Sequence, residues 1–440
     1  MTDFSEVTEI TDLPARVASF ASSAPRRPAV VSPDAAINYG DLALRAQRRA
    51  DQWRGEGGPG RRHLVAGCPV EVAVSVVAAA AAGVGLLLLD AEGRLPEHVR
   101  AQDIFRAAPD TATPGLGLTT SGVSGPPKCV ERPWSAVAGN AAAFAYALSL
   151  APGEVMLCTT PPHHSYAVCG GIITALMAGA TYAGTARRTG PKALAATLDE
   201  QRVDLLLSVP LLYQWYATGL AARRVPRLCV SAGSPLTPEH RAAWERGVGW
   251  PLVEHFGTSE YGMLTHDTEG LSGSVGRAVP GIALSLAPGP AGDEVVVHAA
   301  GAPARLLDEG GRAELLGVPG RTGDLGAFDD AGRLTLLGRV GSVINVAGNK
   351  VSSTEVEAAV RRYAPVKDCA LVGDTSTPGA TRLCLFVEAG DAFDRQELMN
   401  HLVSSLAPYK VPQVVHRTDG LPRSAAGKVL RSELLRILHG

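Results

Sequence analysis

Eighteen consecutive residues without a charge, Val72–Leu89 (VAVSVVAAAAAGVGLLLL), set the first constraint on this chain. Such a run must leave water, either across a membrane or in a protein interior. It approaches the length of a membrane span. Yet Gly83 and Gly85 interrupt it, alanine dominates its first half, and leucine its second. That texture predicts a buried helix followed by a buried central strand ending at Asp90.

The rest of the chain alternates in the same way. Tyr39–Trp53 has helical periodicity and stops before the GEGGPG loop. Ser135–Leu148 and Pro191–Gln201 read as helices, and Val203–Val209 and Leu228–Val230 as short buried strands. Pro109–Gly117, with two prolines and two glycines, reads as a loop. From Gly273 onward, short strands such as Glu294–His298 lie between Gly, Pro and Asp turns, predicting a β-rich subdomain.

A second domain is expected to begin near Gly341. Ser352 and Glu355 have capping-box spacing ahead of a helix through Arg362. Strands near Cys369–Val372 and Leu383–Val387 and a helix near Arg395–Leu406 follow. The expected fold class is therefore α/β. A large region, 1–340, holds layered α/β subdomains plus the β-rich subdomain, and a small, mobile α+β domain occupies 341–440.

Composition narrows the partners. The formal charge is -2, from 41 basic and 43 acidic side chains, so no global positive field points to nucleic acid or an anionic membrane. Seven scattered cysteines without CxxC spacing argue against a disulfide framework or a structural zinc site. A reducing, cytoplasmic compartment is expected, and the acidic start MTDFSEVTEI does not read as a signal peptide.

The most informative segment is TTSGVSGPPKCV, Thr119–Val130. Ser121, Gly122, Ser124 and Gly125 let a backbone turn pass close to an anion. The hydroxyls of Thr119, Thr120, Ser121 and Ser124 can donate to phosphate oxygens, and Lys128 supplies positive charge. A Ser/Gly/Pro surface turn with an incidental lysine would look the same by composition. The segment is neither a Walker A loop nor a dinucleotide fingerprint.

It resembles the phosphate loop of the adenylate-forming superfamily: acyl- and aryl-CoA synthetases, peptide-synthetase adenylation domains and luciferases. It departs from that pattern at Val123 and Cys129. Further segments resemble the same family in chain order. SAGSP, Ser231–Pro235, is similar to the turn bordering adenine and the acyl pocket, which implicates Gly233, Ser234 and Pro235. EHFGTSEYG, Glu254–Gly262, resembles the segment in which Phe256 packs on adenine and Gly257 and Thr258 approach the ligand. There Ser259 touches the α-phosphate and Glu260 offers a carboxylate to Mg²⁺. A lone Glu260 would read as a solvated carboxylate at a helix start. RTGDLG, Arg321–Gly326, implies that Asp324 accepts from the ribose hydroxyls, and Arg339 resembles the arginine near the hinge. LPRSAAGKVLR, Leu421–Arg431, implies that Lys428 is the catalytic lysine.

The resemblance implies ATP, Mg²⁺ and a thiol acceptor, either coenzyme A or the phosphopantetheine of a carrier protein. It implies two chemical steps, adenylation of a carboxylate and thiol attack on the acyl-adenylate, with the small domain rotating about Gly341 between them. Glycine there gives wide backbone freedom. Gly348 would lie on the face presented in the second step. In PPHHSYAVCGG, Pro161–Gly171, His164 aligns with a histidine that gates the path between acid and thiol; a helix-capping role is the alternative. That segment has no Asp to hold a substrate ammonium, which favours an acid without an α-amino group. Ser231, Ser234, Thr258 and Cys169 suggest a compact pocket for an aryl or short acyl acid. Arg361, Arg362 and Lys367 are candidates for holding the CoA 3′-phosphate. A regulatory nucleotide-binding protein that has lost catalysis is the contrasting reading, and the oligomer is expected to be a monomer or a homodimer.

Overall fold

A computed structural model describes residues 12–56, 62–65, 67–89, 114–120, 128–186, 189–271, 273–299, 304–307, 313–346, 349–376, 380–423 and 429–439. The apolar run resolves into a helix, Pro69–Ala82, and a strand, Gly85–Leu88, separated by Gly83 at φ +67°. The left-handed backbone there ends the helix without the Cβ penalty another residue would carry. Val72, Val74, Val76 and Val77 are all buried, so the helix is covered around most of its circumference. Leu86, Leu87 and Leu88 are buried as well, each contributing about 2 kcal/mol of transfer free energy. Among the described residues no helix is long and apolar enough to cross a membrane.

Two large sheets share this core. One has nine strands, with a parallel centre ordered Leu252–Thr258, Leu228–Ser231, Leu205–Ser208, Val155–Cys158, Thr181–Gly184 and Pro28–Val31. The other has six strands, ordered Ala313–Leu315, Arg305–Leu307, Lys128–Pro133, Gly115–Thr120, Gly85–Leu88 and Arg62–Val65. A single apolar cluster links both sheets through the helices Pro69–Ala82 and Trp134–Ala147 and the helical stretch Ser165–Ala178. Burial between sheets explains why these helices lack a polar face. A four-stranded antiparallel sheet, Ile282–Ala287, Glu294–Ala299, Gly320–Phe328 and Leu334–Arg339, forms the β-rich part.

The C-terminal part has its own core. A hairpin, Val343–Val346 with Asn349–Ser352, leads into the helix Ser353–Arg361. A three-stranded sheet, Val366–Asp374, Arg382–Ala389 and Val414–Thr418, packs with the helices Arg395–Ser405 and Arg431–His439. Val356, Val360, Leu371, Leu385, Leu398 and Leu402 are buried within it.

Two local expectations are corrected. Gly115–Gly117 is not loop but the start of the strand Gly115–Thr120. A Cβ on Gly115 would stand 2.0 Å from the Arg132 carbonyl oxygen, so this glycine marks close strand approach rather than a turn. The capping box is only half made. Ser352 Oγ accepts from the Glu355 N–H at 3.3 Å, but the Glu355 carboxylate takes Lys410 Nζ at 2.6 and 2.7 Å.

Candidate functional site

The central strands Val155–Cys158, Leu205–Ser208, Leu228–Ser231 and Leu252–Thr258 run parallel and end on one rim. The segments PPHH, SAGSP and TSE follow three of these ends, so the fold gathers motifs that are far apart in sequence. Crevices outside the carboxyl ends of parallel strands are where α/β folds place ligands.

The phosphate segment is a hairpin. Gly115–Thr120 pairs antiparallel with Lys128–Pro133, and Thr119 faces Cys129 and Thr120 faces Lys128. Ser121, Gly122, Ser124 and Gly125 lie outside the described residues. The Lys128–Pro133 strand is tied to the next by a buried ion pair, Arg305 to Glu131 at 2.5 Å. Cys129, where the family carries glycine, is buried.

Glu260 lies not at a helix start but in the tight turn between the strands Leu252–Thr258 and Gly262–His266. Its side chain is half-buried. The Tyr261 N–H donates to Thr258 Oγ1 at 3.1 Å, which closes the turn. Gly262 leaves the turn at φ +85°, and Asn140 grips the next residue from both sides. Met263 N–H donates to Asn140 Oδ1 and Asn140 Nδ2 donates to the Met263 carbonyl, both at 2.8 Å. A Cβ on Gly257 would meet the Gly262 carbonyl oxygen at 2.4 Å, so this family glycine is also fixed by the hairpin itself. Ser259 is half-buried beside Glu260. Phe256 is 7% exposed and packs in one cluster with Tyr261, Leu264, Val295 and Leu334, so its ring presents little free surface for adenine.

Asp324 and Arg339 are cross-strand partners. Arg339 Nε donates to Asp324 Oδ1 at 2.8 Å and Nη2 donates to Oδ2 at 3.2 Å. The hydrogen bonds that Arg339 donates to Asp324 hold its pKa above the ordinary value, with burial opposing and Glu260 adding a smaller favourable field. Each Asp324 oxygen keeps a second lone pair that a hydroxyl donor can use. Gly323 at φ +75° and the Thr322 hydroxyl, which accepts from the Asp324 N–H at 3.0 Å, set the carboxylate's approach.

His164 precedes the short helix Ser165–Ala167, and its side chain makes no capping hydrogen bond there. It lies against His163 with ring centroids 4.3 Å apart. The following turn, Val168–Ile173, is π-helical, a local widening often found at functional sites. Gly233, Ser234 and Pro235 are exposed on the rim, and Gly233 has φ +87°. Of the four small residues expected to line a pocket, Ser231 and Cys169 are each only 2% exposed. Arg361 is committed to Asp368 Oδ1 at 3.1 Å and to the Cys369 carbonyl at 3.2 Å, while Arg362 and Lys367 are exposed. Lys428 and Gly348 lie outside the described residues.

Two residues with no motif signal also stand at this site, Asn140 and Arg132. In the sequence VERP, Glu131 and Arg132 are adjacent and both buried, so strand alternation gives no clue to either.

Comparison with known proteins agrees with this geometry. The AMP-binding enzyme family model matches residues 107–302 and the model for the AMP-binding enzyme C-terminal domain matches 355–428. The benzoate–CoA ligase of Thauera aromatica is 29% identical over 346 residues, 72% of this chain and 64% of the ligase. Triostin synthetase I of Streptomyces triostinicus is 29% identical over 358 residues, 77% of this chain and 68% of the synthetase. The crystal structure of ATP-bound MatB from Rhodopseudomonas palustris superimposes with a TM-score of 0.77 at 20% identity, covering 97% of this chain and 98% of MatB. With both family models matched in order, this chain belongs to the adenylate-forming, AMP-binding enzymes.

Proposed function

We propose that the protein activates a carboxylic acid as its acyl-adenylate with ATP and passes the acyl group to the thiol of coenzyme A. The observation that carries this reading is the Asp324–Arg339 pair, whose guanidinium lies within the field of Glu260. A carboxylate resists thiol attack because it is anionic and has no good leaving group, and transfer of AMP removes both obstacles. In the first step the acid's carboxylate oxygen attacks the α-phosphorus and pyrophosphate leaves. In the second the thiol attacks the acyl carbon and AMP leaves.

The chain's residues divide this work. Asp324 orients the ribose through its free lone pairs, Arg339 fixes Asp324, and Ser259 and the 119–128 segment receive the phosphates. Lys428 neutralises charge developing between carboxylate and α-phosphate. Glu260, a half-exposed hard oxygen donor at the apex of a turn, suits Mg²⁺, which keeps most of its ligands as phosphate oxygens and water. When bound, Mg²⁺ would stabilise the leaving pyrophosphate. The proposed hinge at Gly341 lies in the turn Val340–Ser342. The Ser342 hydroxyl accepts from the Arg339 N–H at 2.9 Å and donates to the Arg339 carbonyl at 2.7 Å, so the hinge is anchored on the residue that holds Asp324. His164 gates the passage from acid to thiol.

The acid is an aryl or short acyl acid. Supporting this are the small buried residues Ser231 and Cys169 beside the motif-bearing strand ends, the absence of an acidic residue from Pro161–Gly171, and similarity to a benzoate–CoA ligase. Acid-dependent exchange of labelled pyrophosphate into ATP across a panel of acids is the test, followed by mass analysis with CoA and with a holo carrier protein. Exchange with benzoate-like or short acids and a CoA thioester is the expected result. Acylation of the carrier alone would move the acceptor to phosphopantetheine. Nucleotide binding without exchange would make the protein a non-catalytic binder.

A further inference from the structure

Arg132 is a charged residue sealed beneath the site. It is 5% exposed, and among the described residues its Nη1 has no hydrogen-bond partner. Among the described residues its Nη2 reaches the Ala136 carbonyl, at a long 3.4 Å. The guanidinium packs against the backbone of Gly262: a Cβ built there would stand 2.4 Å from Nη1 and 2.7 Å from Nη2. Gly262 is two residues after Glu260, in the same tight turn. Folded proteins rarely keep a buried cation with unmade hydrogen bonds, because an uncompensated charge is costly in a low-dielectric interior. Burial lowers the Arg132 pKa, and the charge of Glu260 is among the influences that raise it.

We infer that Arg132 is a positioning residue for Glu260, a fixed buried positive charge beneath the turn that weakens the carboxylate's hold on a divalent cation. This rests on reading Glu260 as the metal ligand. The reasoning is Coulombic. A cation behind a carboxylate offsets part of its field at the metal position, and burial limits solvent screening. Asn140 clamps Met263 through two hydrogen bonds, a hold on the turn that does not involve Arg132. Removing the charge should therefore change the electrostatics more than the fold. An enzyme that must release magnesium pyrophosphate in every turnover benefits from a metal that is not held too tightly.

The test measures ATP affinity by calorimetry with Mg²⁺ and with EDTA, using full-length protein. The ratio of the EDTA dissociation constant to the Mg²⁺ dissociation constant is the readout. In Arg132→Met the ratio should rise at least fivefold over wild type. In Arg132→Lys, which keeps the charge, it should stay within twofold. If Arg132→Met does not fold, Arg132→Gln carries the same expectation. In a Glu260→Gln background the Arg132→Met effect should shrink below twofold. An unchanged or falling ratio in the neutral variants overturns the inference, even if their melting temperatures drop. A wild-type protein that shows a Mg²⁺-dependent ratio but no acid-dependent pyrophosphate exchange would sink the enzymatic reading and leave the Arg132 comparison intact. A wild-type ratio near one overturns the Arg132 inference and leaves exchange to judge the activity.

Discussion

Asp324 and Arg339 face each other across two antiparallel strands, and the guanidinium grips the carboxylate through Nε and Nη2. The carboxylate is thus oriented before any nucleotide arrives. Preorganisation of this kind reduces the ordering cost of binding. Asp324→Ala should weaken ATP binding at least tenfold, and should erase the preference for ATP over 2′-deoxy-ATP expected of the wild type. Calorimetry with both nucleotides decides it. Because the Arg339 side chain is half-exposed, the same change should cost only about 1 kcal/mol of stability or less.

Lys428→Ala should depress acid-dependent pyrophosphate exchange by a factor of roughly 100 or more, the scale of losing one charge-stabilising donor in a transition state. ATP affinity should fall far less, since the proposed ribose and phosphate contacts lie on other residues. Unchanged exchange would remove Lys428 from the chemistry.

Gly262→Ala should destabilise the protein by about 2 kcal/mol or more, because an alanine must adopt φ +85° and place its Cβ 2.1 Å from Asn140 Oδ1. Asn140→Ala, which leaves Met263 N–H and C=O without partners, should cost about 2 kcal/mol. Chemical denaturation measures both. A neutral result for either would mean that the turn does not depend on this clamp.

Acid stability should be governed in part by His255 and His266. Burial lowers their pKa values to about 3 and about 4, with the Thr265 carbonyl opposing at His255. His255 is enclosed by Phe144 and stacked on Tyr166. The unfolded chain binds protons on these rings below the ordinary value near 6.5 while the folded protein does not. Stability is therefore full above about pH 6.5 and is lost as pH falls toward the folded values, by roughly 5 kcal/mol for His255. Melting temperature should decline between pH 6.5 and 4 in the wild type, and His255→Phe should flatten that slope. An equally steep slope in the variant would place the acid sensitivity elsewhere.

Much of this protein was legible in its residues. The uncharged run Val72–Leu89 demanded a covered sheet, because apolar surface of that length cannot remain in water. The ordered segments around Ser121, Glu260, Asp324, Arg339 and Lys428 named the family, because backbone turns, hard oxygen donors and cations near phosphate need those residue types. Tertiary structure decided the rest. Strand register, not local sequence, brings Arg339 to Asp324, and a hairpin rather than a helix carries Glu260. Competition for partners gives Glu355 to Lys410 instead of to its own helix start. Packing of the four-stranded sheet covers Phe256, and the fold alone buries Arg132 beneath the Glu260 turn. Each of these outcomes depends on residues distant in the chain meeting in a low-dielectric interior, and no spacing rule along the sequence encodes such a meeting.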